Sequence, residues 1–524
     1  MKKIIIISFY MFFVGNLFSQ SPGNVGLVNL TAWFKPDLLP LGNVNSWTTT
    51  YPTGAGSLTV TDNVTPFPLA TNTPLNNVSN YNMTIEFTGN SLANLKALTN
   101  TTSLNLLDNS TSSSQGTFFG VYYLPAATPN NHMMLYNETG NDAIQFRNLG
   151  ANGRLAIGRT LGTSLSACRN WVENNLPTII SYKGNRSGSA TMIANENSKL
   201  FTTSSASQSS GATGLHFGIM PGNTNSPFNG YLNEFIFYNR NLTLLEMNKI
   251  HTYLAVKYGI TLNNLGGGAQ GDYIATNGTI IWDASLFGNY HNNVIGIGKE
   301  NNESLHQKQS HTFDDISRIY INSLSTTNAA NLGTITNDSS YVMMGNDNGV
   351  MCPTATSNIE VPVSTLVSTR LEREWKITKT NFPQTFSCDF TLGACATPSN
   401  FNLNCLVLLV DDDGNFTNSS VYDASSGIGF TVSGNVLTIS GLTNSIIPNN
   451  STKFITVGSI TLEKNFGNDT TICTGDSVLL DAGNIGATYL WQNGSVNQKL
   501  NVKTPGVYSV IISFIKSTSI SWFG

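Results

Sequence analysis

The sequence predicts an all-β, multidomain protein: an N-terminal sandwich closed by one helix, a second β-rich domain and a short C-terminal sandwich. Three observations carry this. Apolar runs of five to eight residues recur between turns rich in Asn, Gly, Ser and Thr. Charged residues make up only 11% of the 524, against about 25% in typical soluble domains. The polar share falls instead on residues that suit turns and solvent-facing strand positions. The stretch Thr243 to Gly259 combines helical periodicity with start and stop signals, in a chain otherwise of strand-and-turn sequence.

The chain opens with an export signal. Lys2 and Lys3 precede an apolar run from Ile4 to Phe18, and the small Ser19 permits cleavage before Gln20. That run is shorter than the ~20 residues a spanning helix needs. No cysteine stands at the cleavage point, so no lipid anchor is expected, and the product is predicted to be secreted, extracellular or on the outer cell surface. A net charge of -4 gives nucleic acid no electrostatic reason to bind. With 40% hydrophobic residues the chain can bury cores, and its length suggests two to four domains of about 100–200 residues each.

The first domain is expected over residues 20–262. It opens with LTAWFKPDLL and passes through MTIEF (Met83 to Phe87), TFFGVYYL (Thr117 to Leu124), LPTIISYK (Leu176 to Lys183) and LHFGIM (Leu215 to Met220). Many short strands in a region this size mean a sandwich. Its last strand begins at Gly230. Strict alternation puts Leu232, Glu234, Ile236 and Tyr238 on one face and Tyr231, Asn233, Phe235 and Phe237 on the other. From Phe235 to Tyr238 both faces are apolar, which predicts cover on both sides. The helix follows. Thr243 and Glu246 fit a capping box, Leu242 and Met247 a hydrophobic staple, and Gly259 a left-handed C-cap. Met247, Ile250, Leu254 and Tyr258 form its apolar face.

AWFKPD (Ala32 to Asp37), the strand pairs and GYLNEFIFYNRNLTLLEMNKI (Gly230 to Ile250) resemble laminin-G-like, concanavalin A-type jelly-roll domains. That resemblance implies a recognition domain, often calcium-dependent, with the ligand held by loops at one rim. Residues 263–460 form the second domain, with GDYIATNGTIIWD, YHNNVIGIGKE, YVMMGND, LEREWKIT, CLVLLVDDDGNF and KFITVGSI as its strands. The pairing resembles a module of unknown function found in large bacterial surface proteins of the type IX secretion kind. Here Arg373, Trp375 and Ile377 should share one strand face, and Glu372, Glu374 and Lys376 a solvated one.

Residues 461–515 resemble an immunoglobulin-like or PKD-like repeat, through TICTGDSVLLDAG, Tyr489 to Trp491 and Gly506 to Val510. Such repeats usually pair the early cysteine, here Cys473, with one on the last strand. This chain ends SFIKSTSISWFG, without that cysteine, so residues 516–524 are expected to be an atypical tail from a truncation or frameshift.

Candidate chemistry is sparse. Cys352, Cys388, Cys395 and Cys405 lie in the second domain, where four cysteines allow three pairings. Cys388 with Cys395 is the local bridge favoured in an exported protein, ahead of zinc, since no C-x2-C spacing occurs. Cys168 reads as a buried small residue. Asp411, Asp413 and Asn415 place hard oxygen ligands at alternate positions, which suits calcium, although Asp-Gly and Asn equally suit an ordinary hairpin turn.

A glycosidase needs two carboxylates about 5–10 Å apart. The first domain offers isolated Glu86 and Glu234, and the pair Glu372 and Glu374 lies among basic neighbours. Gly475-Asp476-Ser477 has no histidine after it, and His306 and His311 are five apart, matching neither a helix nor a strand face. Trp33, Trp47 and Trp171 are the aromatics to weigh as sugar platforms, against core placement for each.

The sequence thus points to a non-catalytic protein for adhesion or glycan and matrix recognition, its partner an extracellular glycan or protein. The alternatives are a polysaccharide-degrading hydrolase or its accessory module, and a ligand-free stalk.

Overall fold

The structure is a computed structural model. It describes residues 20–524 apart from 55–56, 62–67, 72–78, 89–95, 103–105, 107–114, 126–131, 138–142, 150–153, 159–167, 170–175, 186–187, 195–196, 204–213, 219–227, 263–270, 352–359, 363–366, 394–400, 402, 404, 461–470, 472, 474, 484–487, 514–518 and 524. Over 132–169, 185–203 and 513–523 only the backbone is described. The protein is all-β and multidomain, with α1 (Leu244–Tyr258) as its α-helix among the described residues.

Two antiparallel sheets, of nine and eight strands, form the first sandwich. The larger sheet is centred on β1 (Leu30–Phe34), β2 (Gln115–Tyr123), β3 (Pro177–Asn185) and β4 (Asn229–Tyr238). β4 pairs with β2 on one side, and on the other with β1 along its C-terminal half. Phe34, Phe118, Tyr182 and Phe237 point between the sheets and pack with Trp47, Val60 and Phe217. Trp33, Phe119, Ile179 and Ile236 alternate with them and point outward, where α1 covers them through Met247, Ile250 and Leu254. These central strands are therefore buried on both faces, as the doubly apolar β4 predicts.

The strict alternation expected along β4 does not hold. Tyr231 and Leu232 stand opposite Tyr123 and Tyr122, but the next paired residue is Phe235, opposite Gly120. A one-residue bulge switches the faces, so Leu232 joins Phe235 and Phe237 in the inter-sheet core. Ile236 and Tyr238 face the helix.

Helix α1 starts and stops as its sequence dictates. The Thr243 side chain accepts the Glu246 N–H, the Glu246 carboxylate accepts the Thr243 N–H at 2.7 Å, and Gly259 closes the helix at φ 65°. Leu242 and Met247 are both buried beneath its first turn.

The second sandwich pairs an eight-stranded and a five-stranded antiparallel sheet. The larger runs β5 (Asn292–Glu300), β6 (Ser340–Asn346), β7 (Trp375–Thr380), β10 (Thr452–Ile460), β9 (Leu406–Asp411) from one side to the other. The smaller includes β8 (Phe386–Thr391). Trp375 and Ile377 point into the core with Phe390, Leu408 and Ile455, as the alternation along β7 predicts. Beyond it lie two small sheets. Val478–Asp481 pairs with Lys499–Val502, and Thr488–Trp491 with Ser509–Ser513. The expected tail also contributes a strand, Ser519–Phe523, paired with Ser509–Ser513.

Among the described residues, no helix is long and apolar enough to cross a membrane.

Candidate functional site

Glu234, beside the bulge on β4, faces α1 with Ile236 and Tyr238, at the seam between the two sandwiches. Its carboxylate is wholly buried. One oxygen accepts the Trp33 indole N–H and the Tyr253 hydroxyl at 2.9 Å. The other accepts Lys257 Nζ at 2.8 Å and the Tyr258 hydroxyl at 3.0 Å. Lys257 also donates to Asp37 at 2.7 Å, tying α1 back to the segment after β1. Burial pulls the Lys257 ammonium toward neutrality, but Asp37 and Glu234 outweigh it and hold it above the ordinary lysine value. Burial, and then the Glu234 charge, push the Tyr253 and Tyr258 hydroxyls well above their usual range. Glu234 is thus a saturated structural anion, with four donors on two oxygens.

The loop Ser79 to Asn82 is the second fastener of this seam. Asn80 Nδ2 donates to the Lys257 carbonyl at 3.1 Å and to Ser310 Oγ at 3.0 Å, while its Oδ1 accepts the His311 N–H at 3.0 Å. Asn82 Nδ2 donates to the same Lys257 carbonyl at 2.7 Å and to Gln307 at 3.2 Å. These amides satisfy carbonyls that the last turn of α1 leaves without intrahelical partners.

At one end of the seam the two sandwiches leave a cleft of about 230 Å³. Leu176 and Pro177, where β3 begins, face Ile260 and Phe313 across it and supply apolar surface. Thr261, Asn292, Asn293 and Asn348 supply the polar surface. His291 also borders it, but both ring nitrogens are committed. Nδ1 accepts the Trp282 indole N–H at 2.9 Å, so Nε2 carries the proton and donates to the Leu262 carbonyl. Burial lowers its pKa, partly offset by that carbonyl. Asn293 Nδ2 donates to Asp314 at 2.8 Å, and Asn292 Nδ2 to the Asn346 carbonyl at 3.0 Å. Asn348 uses its backbone N–H, bonded to Asn346 Oδ1 at 2.8 Å. Its side-chain amide has no hydrogen bond among the described residues.

The residues singled out in the sequence lie elsewhere. Trp33 and Trp47 are core residues, 1% and 0% exposed, and so are not sugar platforms; Trp171 lies outside the described residues. Asp411 Oδ2 accepts the N–H groups of Asp413 and Gly414 at 2.8 and 2.7 Å. Asp413 and Asn415 likewise accept from Asn415 and Thr417. The alternating oxygens therefore close a turn by Asx hydrogen bonds. Among the described residues, no three His, Cys, Asp or Glu side chains gather as a metal site.

Of the local bridge expected from Cys388 to Cys395, the structure describes Cys388, a free thiol buried at an inward position of β8 among core side chains. Burial pushes that thiol well above its ordinary pKa. Cys405 is buried on a different core, with Val407 and Leu409. Cys352, Cys395 and the side chain of Cys168 lie outside the described residues.

Glu374 departs from the solvated face expected of it. It accepts Arg370 at 2.7 Å and the Tyr290 hydroxyl at 2.5 Å. Lys376 beside it is covered by Phe287 and Phe454, with Nζ 3.9 and 4.3 Å from the ring centroids. Asp476 sits in an exposed turn closed to the Cys473 carbonyl. His306 accepts the Ile335 N–H at 3.2 Å, while the His311 ring meets the Thr312 carbonyl. No periodicity pointed to the cleft, because its residues come from five separate segments.

Residues 246–451 match the model of a domain of unknown function, DUF8202. No curated protein matches the chain. Among solved structures, the chain is similar to domain 4 of AbnA, a GH43 extracellular arabinanase from Geobacillus stearothermophilus, in complex with arabinotriose. Identity is 16% over 43% of this chain and 98% of that one, with a TM-score of 0.29. The binding domain of botulinum neurotoxin DC in complex with SialylT is 11% identical over 84% of this chain and 95% of that one, with a TM-score of 0.29. A Trypanosoma rangeli sialidase mutant displaying trans-sialidase activity is 10% identical over 45% of this chain, which spans 34% of its length, again with a TM-score of 0.29. Likenesses at this level carry no argument about ligand or activity.

Proposed function

We propose that this is an exported surface protein that recognises glycans without altering them, serving adhesion or matrix attachment. One observation carries the reading: the cleft between the sandwiches combines uncharged amide and hydroxyl groups with an apolar wall. Binding sites for sugars need that mixture of a nonpolar surface and a few oriented polar groups. Glu234, one of the carboxylates that a hydrolytic reading would enlist, already has its oxygens occupied by the seam. The rim loops of the first sandwich are the other surface at which a laminin-G-like domain would meet a ligand.

A glycan array probed with residues 20–524, with and without calcium, tests the proposal. Saturable binding, competed by free sugar and without release of reducing ends, is the expected result. Turnover of a bound polysaccharide would replace this reading with the hydrolase. Failure to bind any glycan would leave a stalk.

A further inference from the structure

We infer that the cleft takes a single neutral sugar ring, held by Asn292, Asn293 and Asn348, and that it rejects anionic sugars. The inference rests on the glycan reading above and adds the place and the ligand class. The polar inventory is the first argument. Asn292 and Asn293 spend side-chain N–H groups on Asn346 and Asp314, which leaves both Oδ1 atoms as acceptors. Asn348 keeps both ends of its amide. Thr261 Oγ1 accepts the Val294 N–H at 2.9 Å, which leaves its proton to donate. Acceptors and donors side by side match hydroxyl groups, each of which is both donor and acceptor.

Charge is the second argument. Among the described residues, no Lys or Arg lines the cleft, so none of them would pair with the carboxylate of a sialic or uronic acid. The Asp314 carboxylate that accepts from Asn293 stands beside the cleft and would repel one. Size and shape are the third. A volume of about 230 Å³ falls below the roughly 300–1,000 Å³ of sites for drug-sized ligands, which fits one ring. Phe313, half-buried, offers flat apolar surface for its C–H face, beside the buried Pro177.

The test uses residues 20–524 and titrates neutral hexoses and N-acetylhexosamines against N-acetylneuraminic and glucuronic acids. The variants are Asn348→Gly and Asn293→Gly. Both positions have positive φ, 57° and 50°, which glycine keeps without strain, and an unchanged melting temperature confirms the fold. Loss of one amide is expected to weaken a neutral sugar roughly tenfold in each variant. Neutral binding that is unchanged in both variants overturns the site and leaves glycan recognition standing. Binding confined to acidic sugars overturns the ligand class and again leaves it standing. No saccharide binding at all, in array or titration, sinks both.

Discussion

The chain has two seams; both hold an apolar cluster, and the one between the sandwiches adds a buried polar network. At the first, Glu234, Lys257 and Asp37 bond to one another within the cluster around α1, and Asn80 and Asn82 cross to Ser310, His311 and Gln307. Between the second sandwich and the C-terminal sheets, Val407, Leu409, Phe416 and Phe454 share one apolar cluster with Trp491, Leu500 and Val510. A buried polar group is stable only with its partner in place, so the first seam admits one arrangement. An apolar seam gains in proportion to area and tolerates small shifts. The cleft lies at the seam that holds its walls in register.

The largest expected effect comes from unpairing a charge in the polar seam. Lys257→Met leaves Glu234 buried without its cation and should cost about 3–5 kcal/mol in urea unfolding. Glu234→Gln with Lys257→Met should recover much of that loss. A Lys257→Met cost under about 1 kcal/mol would remove the distinction between the seams.

Leu409→Ala in the apolar seam should cost about 2–5 kcal/mol, while Leu409→Met should cost less than about 1.5. Tolerance of the volume-conserving swap is what separates this seam from the first. Equal losses for the two substitutions would show that it too is specified by exact fit.

Acid should act on the polar seam before the apolar one. Burial lowers His251, on the α1 face that packs on Phe119, to a pKa of about 3. Its folded value lies below the unfolded value of about 6.5. Its contribution is therefore full above that pH and is lost as pH falls toward about 3. Glu303, in the same seam, has the opposite sign. Burial, and then the charges of Glu300 and Glu234, raise it well above the usual carboxylate range. Its contribution is full below the unfolded value and is lost as pH rises through the folded one. Melting scans should show an acid limb beginning near pH 6.5 that His251→Gln flattens. An unchanged limb would move its origin to other groups.

The smallest effect belongs to the start of α1. Thr243→Ala removes the cap from the Glu246 N–H and should cost about 1 kcal/mol. A much larger loss would mean that this turn, too, anchors the seam.

The helix was legible because its signals are local: Thr243, Glu246 and Gly259 act on backbone groups within a turn of themselves. The doubly covered end of β4 was legible for a similar reason, since four successive apolar residues leave neither face for water. Leu232 was placed on the wrong face because a bulge has no period. It is fixed by what stands across the sheet, here Tyr122 and Gly120. Glu374 was assigned to solvent because its cover, Tyr290, lies 84 residues away.

The sequence by itself determined the all-β class, the strands and the capped helix, all of which follow from composition or from short-range pattern. Only the tertiary structure decided that α1 carries a seam and that Glu234 is a saturated anion within it. It also decided that the amides of Asn292, Asn293 and Asn348 share a cleft with Pro177. Hydrophobic periodicity reports which face of an element is buried. Which distant polar groups meet depends on how whole sheets dock, and that information is spread along the chain.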